Sequence, residues 1–120
     1  MSTQHRILVL LSDPVLRRNC CDSLVARQLI AEEAQNTAAA LDKLATHPDI
    51  ALAIIGAPDS SQTLQMSQAL IERNANLQLL LLPPAPVELA NLSRQITVLE
   101  DSETAAHIVE KVEQLLGSAR

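Results

Sequence analysis

The sequence contains no phenylalanine, tyrosine or tryptophan among its 120 residues. Its core must therefore be aliphatic, built from Leu, Ile, Val and Ala, and base-stacking platforms and aromatic cages are ruled out. Glycine is nearly as scarce, since Gly56 and Gly117 are the only two. Basic charge is also short: 9 Lys and Arg face 14 Asp and Glu, for a net charge of -5, and no run of Lys and Arg offsets it. Such a surface opposes a phosphate backbone or an anionic membrane, so direct nucleic-acid or membrane binding by this chain is not expected.

Long apolar segments are missing as well. Runs such as Leu79 to Leu82 are far shorter than the roughly 20 residues a membrane span needs. The polar start from Met1 to Arg6 does not make a signal peptide, and the expected compartment is the cytoplasm. The only cysteines, Cys20 and Cys21, are adjacent. Neighbours on a helix point about 100° apart, so a mutual disulfide would be strained, and C-x-x-C spacing is absent. They read as two thiols, one of them partly buried.

What is present fits one compact domain spanning residues 1–120. Apolar residues make up 48% and charged residues 19%, which supplies a real core and argues against disorder. Ile7 to Leu11 is an unbroken apolar run of strand length, the pattern of a central parallel strand covered on both faces. Asp13 and Pro14 then supply an N-cap and a proline at the first helical position. The helix that follows reaches about Arg27 and stacks Leu16, Cys20 and Leu24 on one face. Leu29 to Ala34 reads as a short strand, with Glu32 and Glu33 suggesting a sheet edge. Asn36 caps a second helix that turns Ala40, Leu41 and Leu44 inward and ends at His47 and Pro48.

Asp49 to Ile55 is another buried strand. Asp59 and Gln62 have capping-box spacing for a third helix, with Leu64, Ala69 and Leu70 as core contacts. Leu77 to Leu82 is a further strand, stopped by Pro83, Pro84 and Pro86. Val87 to Gln95 allows a short helix, Ile96 to Glu100 a last strand, and Asp101, Ser102 and Glu103 cap the final helix. That helix places Ala105, Ile108, Val109, Val112, Leu115 and Leu116 on one face, with Gly117 as a stop. Five alternations of strand and helix predict an α/β fold: a doubly wound, five-stranded parallel sheet in the order 2-1-3-4-5 with helices on both faces.

The run ILVLLSDPVLR from Ile7 to Arg17 resembles the opening of a response-regulator receiver domain. Ala34, Ala40, Leu41 and Leu44 match that family's second strand and helix, and PDIALAIIGAP from Pro48 to Pro58 is similar to its phosphoacceptor strand. The likeness extends over the whole chain. It implies a degenerate member, a pseudo-receiver. The two acidic positions that hold magnesium in the family fall on Leu11 and Ser12, with Arg17 six residues after the first. Asp13 is the neighbouring third position and reads as a cap. The phosphoacceptor falls on Ile54, four residues before Pro58. The hydroxyl switch position falls on Leu82 or Pro83, the lysine on Glu100, and the aromatic switch near Thr97. Phosphoryl transfer needs a carboxylate nucleophile and Mg²⁺ needs oxygen ligands, and leucine and isoleucine offer neither. No catalytic residue, metal or cofactor is expected.

The resemblance further implies a protein-interaction or dimerisation module in bacterial signalling or gene regulation. In receivers the partner surface is commonly formed by the fourth helix, fifth strand and fifth helix, here Arg94, Glu100, His107, Lys111 and Gln114. The partner is expected to be another protein or a second copy. Degenerate receivers stand at the head of larger regulators, and several classes remain open. Pro58, Asp59, Thr63 and Leu64 resemble the pseudo-receivers of RNA-binding antiterminators, and others precede sigma-54 activators, cyclic-di-GMP enzymes or pilus-localising ATPases.

The rival is a small-molecule or nucleotide binder of flavodoxin-like layout, with its ligand beyond the carboxyl ends of the strands. Ser12, Asp13 and Pro14 bring no glycine to cradle a phosphate, and Asp13 would repel one. His5, His47 and His107 lack close ligand spacing for a metal. Ser12, Ser60 and Ser61 lack the Gly-x-Ser-x-Gly context of a nucleophile elbow.

Overall fold

Strands flanked by helices on both faces need hydrocarbon on both sides, and the computed structural model places the apolar runs of Ile7 to Leu11 and Ile50 to Ile55 in the interior of the sheet. It describes residues 5–74, 77–82, 96–99 and 104–118. β1 (Arg6–Leu11) is buried along residues 7–11 and lies between β2 (Ile30–Ala34) and β3 (Ile50–Gly56). β4 (Gln78–Leu81) and β5 (Ile96–Val98) complete a five-stranded sheet in the order β2-β1-β3-β4-β5, with every neighbouring pair parallel. The expected topology is the observed one.

Side-chain alternation along the strands divides the core into two layers. On one face, Ile7, Val9, Leu11, Leu52, Ile54 and Leu80 pack against α1 (Pro14–Ala26) and α4 (Ala105–Ser118), through Cys20, Leu24, Ile108, Val109 and Val112. On the other, Leu8, Leu10, Ala53, Ile55, Leu79 and Leu81 meet Ala40 and Leu44 of α2 (Thr37–Thr46) and Leu70 of α3 (Ser60–Arg73). Three helices start at side chains legible in the sequence. Asp13 Oδ1 accepts from the Val15 N–H at 2.9 Å, Asn36 Oδ1 from Ala39 at 2.8 Å and Asp59 Oδ1 from Gln62 at 2.9 Å.

Several expectations change. On α3, Leu64 packs against the core as expected, but Ala69 is only partly buried, whereas Thr63 and Ser67 are buried. Their hydroxyls donate to carbonyls one turn back, Thr63 to Asp59 at 3.3 Å and Ser67 to Thr63 at 2.7 Å, so the helix itself satisfies these groups. Both Cys20 and Cys21 are buried, not one. α4 runs through Gly117 to Ser118, because one glycine in a final turn weakens a helix by only about 1 kcal/mol. Thr104 makes a capping bond at its start, its Oγ1 accepting the His107 N–H at 3.3 Å. The expected caps Asp101, Ser102 and Glu103, the short helix over Val87 to Gln95, and Pro83, Pro84, Pro86, Arg94 and Glu100 lie outside the described residues.

Two irregularities interrupt the regular elements. Arg6 pairs with Ile50 but Ile7 with Leu52, so Ala51 is an extra residue that bulges β3. At the end of α1, Gln28 takes φ 65°, while the Leu29 N–H bonds to Leu24 O and the Gln28 N–H to Val25 O, a Schellman ending with glutamine where glycine is usual.

Candidate functional site

Ligands of open α/β sheets bind beyond the carboxyl ends of the strands, where the strand order reverses. In this sheet that crevice lies between β1 and β3. Leu11 ends β1 with 1% of its surface exposed, Ile54 lies two residues before the end of β3 at 0%, and Leu82 follows β4 at 6%. All three belong to the layer facing α1 and α4. The sheet therefore brings together three of the positions singled out by the family resemblance.

Gly56 shows how tightly the leucines close over the strand ends. A Cβ on it would lie 2.9 Å from Leu11 Cδ2 and 3.4 Å from Leu82 Cβ, so the two leucines occupy the space a side chain would need. Backbone polar groups here are used within the protein. Ser12 donates to Gly56 O from its N–H at 3.1 Å and its hydroxyl at 3.0 Å, and the Leu82 N–H donates to Ile55 O at 2.8 Å. Arg17 Nη1 donates to Leu11 O at 2.8 Å, while its Nε holds Glu33 Oε1 at 2.8 Å, tying the exit of β1 to β2.

This donor set does not fit a magnesium ion. Mg²⁺ demands oxygen ligands in near-octahedral array, whereas Leu11 and Ile54 present hydrocarbon and Ser12 offers a single neutral hydroxyl oxygen. Asp13, the nearest carboxylate in sequence, accepts two N–H groups of α1. Among the described residues no three His, Cys, Asp or Glu side chains are grouped to hold a metal. A cleft of 220 Å³ lies beside the mouth, lined by Ser12, Gln35, Asn36, Thr37, Gln62 and Gln65 among others. Asn36 and Asp59 already occupy the N-termini of α2 and α3 with their own oxygens.

Beneath the mouth, burial pushes the Cys20 thiol up to about 12 and the Cys21 thiol to about 11, the latter also facing Glu33 and Asp22. Protonated, buried thiols are poor nucleophiles. His107, Lys111 and Gln114 share one stripe of α4, opposite Ile108, Val109 and Val112. His107 and Gln114 are exposed and Lys111 is half-buried. Their expected companions Arg94 and Glu100 fall outside the described residues.

The opposite end of the sheet carries a cluster that sequence reasoning missed. Glu32, 13% exposed, accepts from Arg6 and stands 3.3 Å from Lys43 Nζ and 3.6 Å from His47 Nε2. Arg6 Nε also reaches Asp49 Oδ2 at 3.2 Å. That contact holds the Asp49 carboxyl below the usual range and raises the Arg6 guanidinium. These partners lie up to 43 residues apart, so no local spacing announces them.

The architecture and its closed mouth can be set beside solved structures. A response regulator receiver protein from Sinorhizobium medicae superposes with a TM-score of 0.76 at 18% identity, covering 98% of each chain. The response regulator protein TrrA from Thermotoga maritima, in complex with Mg(2+)-BeF, gives 0.72 at 21% identity over 93% of this chain and 99% of that one. A CheY-like receiver domain protein from Methanospirillum hungatei gives 0.74 at 14%, over 97% and 96%. The chain has the receiver fold, a flavodoxin-like layout. No family model and no curated protein matches the sequence.

Proposed function

We propose that this chain is a non-phosphorylatable pseudo-receiver acting as a protein-protein interaction or dimerisation module in bacterial signal transduction or gene regulation. The observation that carries this reading is hydrocarbon at the strand ends: Leu11 and Leu82 close over Gly56, and Ile54 is buried in the same layer. A receiver switches by placing a charged phosphoryl group at this mouth, where oxygen ligands and a switch hydroxyl respond to it. At the positions the resemblance assigns to those groups, Leu11, Ile54 and Leu82 are buried hydrocarbon. The remaining resource of such a fold is its surface, and the stripe of His107, Lys111 and Gln114 on α4 is the face assigned to the partner.

Acetyl phosphate with Mg²⁺ is expected to leave the mass of the intact protein unchanged. A phospho-adduct on Asp13 or Asp49 would refute the reading. Light scattering over a concentration series then separates self-association from binding to a different protein.

A further inference from the structure

We infer that the outward face of α1 is a self-association surface, on which a second copy of this chain docks its own α1 in antiparallel orientation about a two-fold axis. Val15 and Val25 are 67% and 63% exposed, the two large hydrophobic side chains that stand in water among the described residues. Arg18 and Asp22 lie between them on the same helix. The four positions are spaced three, four and three residues, the seam of two heptads, so they form one stripe along the helix. The opposite face carries Cys20 and Leu24 into the core. A single exposed valine needs no explanation, but two at the ends of one stripe with opposite charges between them make a pattern that a partner can match.

The charges select the occupant. Arg17 and Arg27 are ion-paired within the chain, to Glu33 and Glu113. Arg18 and Asp22 are exposed and form no ion pair among the described residues. Turned end for end against itself, the stripe sets Val15 on the partner's Val25 and Arg18 on the partner's Asp22. Each contact then occurs twice, as an isologous two-fold interface requires. A parallel pair would set arginine on arginine and aspartate on aspartate, so the charges also fix the direction. The net charge of -5 repels a second copy at long range, and cohesion must come from local complementarity of this kind. With 13 residues, α1 is about 20 Å long, so the contact belongs to the weak class that buries less than about 1,200 Å².

This surface is separate from the α4 stripe, and it stands whether or not the mouth accepts a phosphoryl group. Sedimentation equilibrium of the full chain tests it, with an expected dimer dissociation constant of roughly 0.1–1 mM. Arg18→Asp and Asp22→Arg each set like charges opposite one another and should each weaken association about tenfold or more. Mixed in equal amounts, the two variants should recover association of wild-type strength, because every aspartate then meets an arginine, although both chains remain net negative. Thermal melting should stay near that of the wild type, since neither side chain has an ion pair to lose. Val15→Ser should weaken association, and Lys111→Glu on α4 should leave it unchanged. A chain that stays monomeric up to about 1 mM overturns the inference while leaving binding to a different protein open. So does a dimer that both charge variants leave intact, or a mixture that fails to associate. A dimer lost in Lys111→Glu but kept in the α1 variants would place self-association on α4 instead.

Discussion

The two ends of this sheet obey opposite rules. At the carboxyl end, where α/β folds usually keep their chemistry, Leu11, Ile54 and Leu82 bury hydrocarbon and the backbone groups of Ser12 and Leu82 bond within the protein. At the amino end, usually the structural end, Glu32 gathers Arg6, Lys43 and His47, Asp49 joins through Arg6, and the Gln78 carbonyl is buried with no hydrogen-bond partner among the described residues. Polar side chains gather where they link elements distant in sequence, and hydrocarbon fills the ends of β1 and β3. The fold itself rests on the two apolar layers and not on charges at the strand ends.

The largest effect should come from returning a carboxylate to the mouth. Ile54→Asp would place a charge at a position with no exposure inside a hydrocarbon layer, at an expected loss of about 4 kcal/mol or more in a urea titration at pH 7. Burial would raise the new carboxyl above its unfolded value of about 3.9. The folded state then binds more protons than the unfolded one between those two values. Stability should therefore recover as pH falls towards 4, and decline as it rises through the window. Mg²⁺ should not rescue the variant, because Leu11 and Ser12 supply no carboxylate beside it. A loss under about 1 kcal/mol, or rescue by Mg²⁺, would show that the mouth still behaves as a receiver pocket.

The carboxyl end was readable from the sequence because its signals are local. Ile7 to Leu11 declares a strand covered on both faces, and Asp13 and Pro14 declare the helix that follows. Once the likeness to receivers supplied a register, Leu11, Ile54 and Leu82 fell together, and the sheet brings them into one layer. The amino end was not readable for the converse reason. Arg6, Glu32 and Asp49 meet only through the strand order, and Glu32 and Glu33 pointed to an edge without revealing their partners. Thr63 and Ser67 look polar in a hydropathy pattern, yet each hides its hydroxyl on a carbonyl one turn back. Gln78 interrupts the pattern by a single residue, too little to mark a buried, unpaired carbonyl.

A smaller effect is expected from the cluster that holds the amino end. Glu32→Gln keeps the shape but removes the charge shared by Arg6, Lys43 and His47. Their side chains are 20%, 38% and 28% exposed, so water already screens much of the attraction. The expected loss is about 1 kcal/mol, within the range of partly exposed ion pairs, and it should shrink in 1 M salt as the screening length falls to about 3 Å. A loss as large as that of Ile54→Asp would erase the contrast, making the amino end as dependent on its charges as the mouth is on their absence.

The finest distinction lies where α1 turns back toward β2, at the same end of the sheet. Gln28 holds φ 65°, in the left-handed region that a side chain resists by about 1–2 kcal/mol. Its backbone is fixed there by the paired bonds to Val25 and Leu24, so the turn is imposed by the helix ending and not by the residue. Gln28→Gly removes the steric cost, while the added freedom of the unfolded chain offsets about 0.5–1 kcal/mol of the gain. The net expectation is a stabilisation of about 0.5 kcal/mol, read as a higher urea midpoint at unchanged slope. A lower midpoint would mean that contacts of the Gln28 side chain outweigh the strain, and the polar character of the amino end would then extend to its turn.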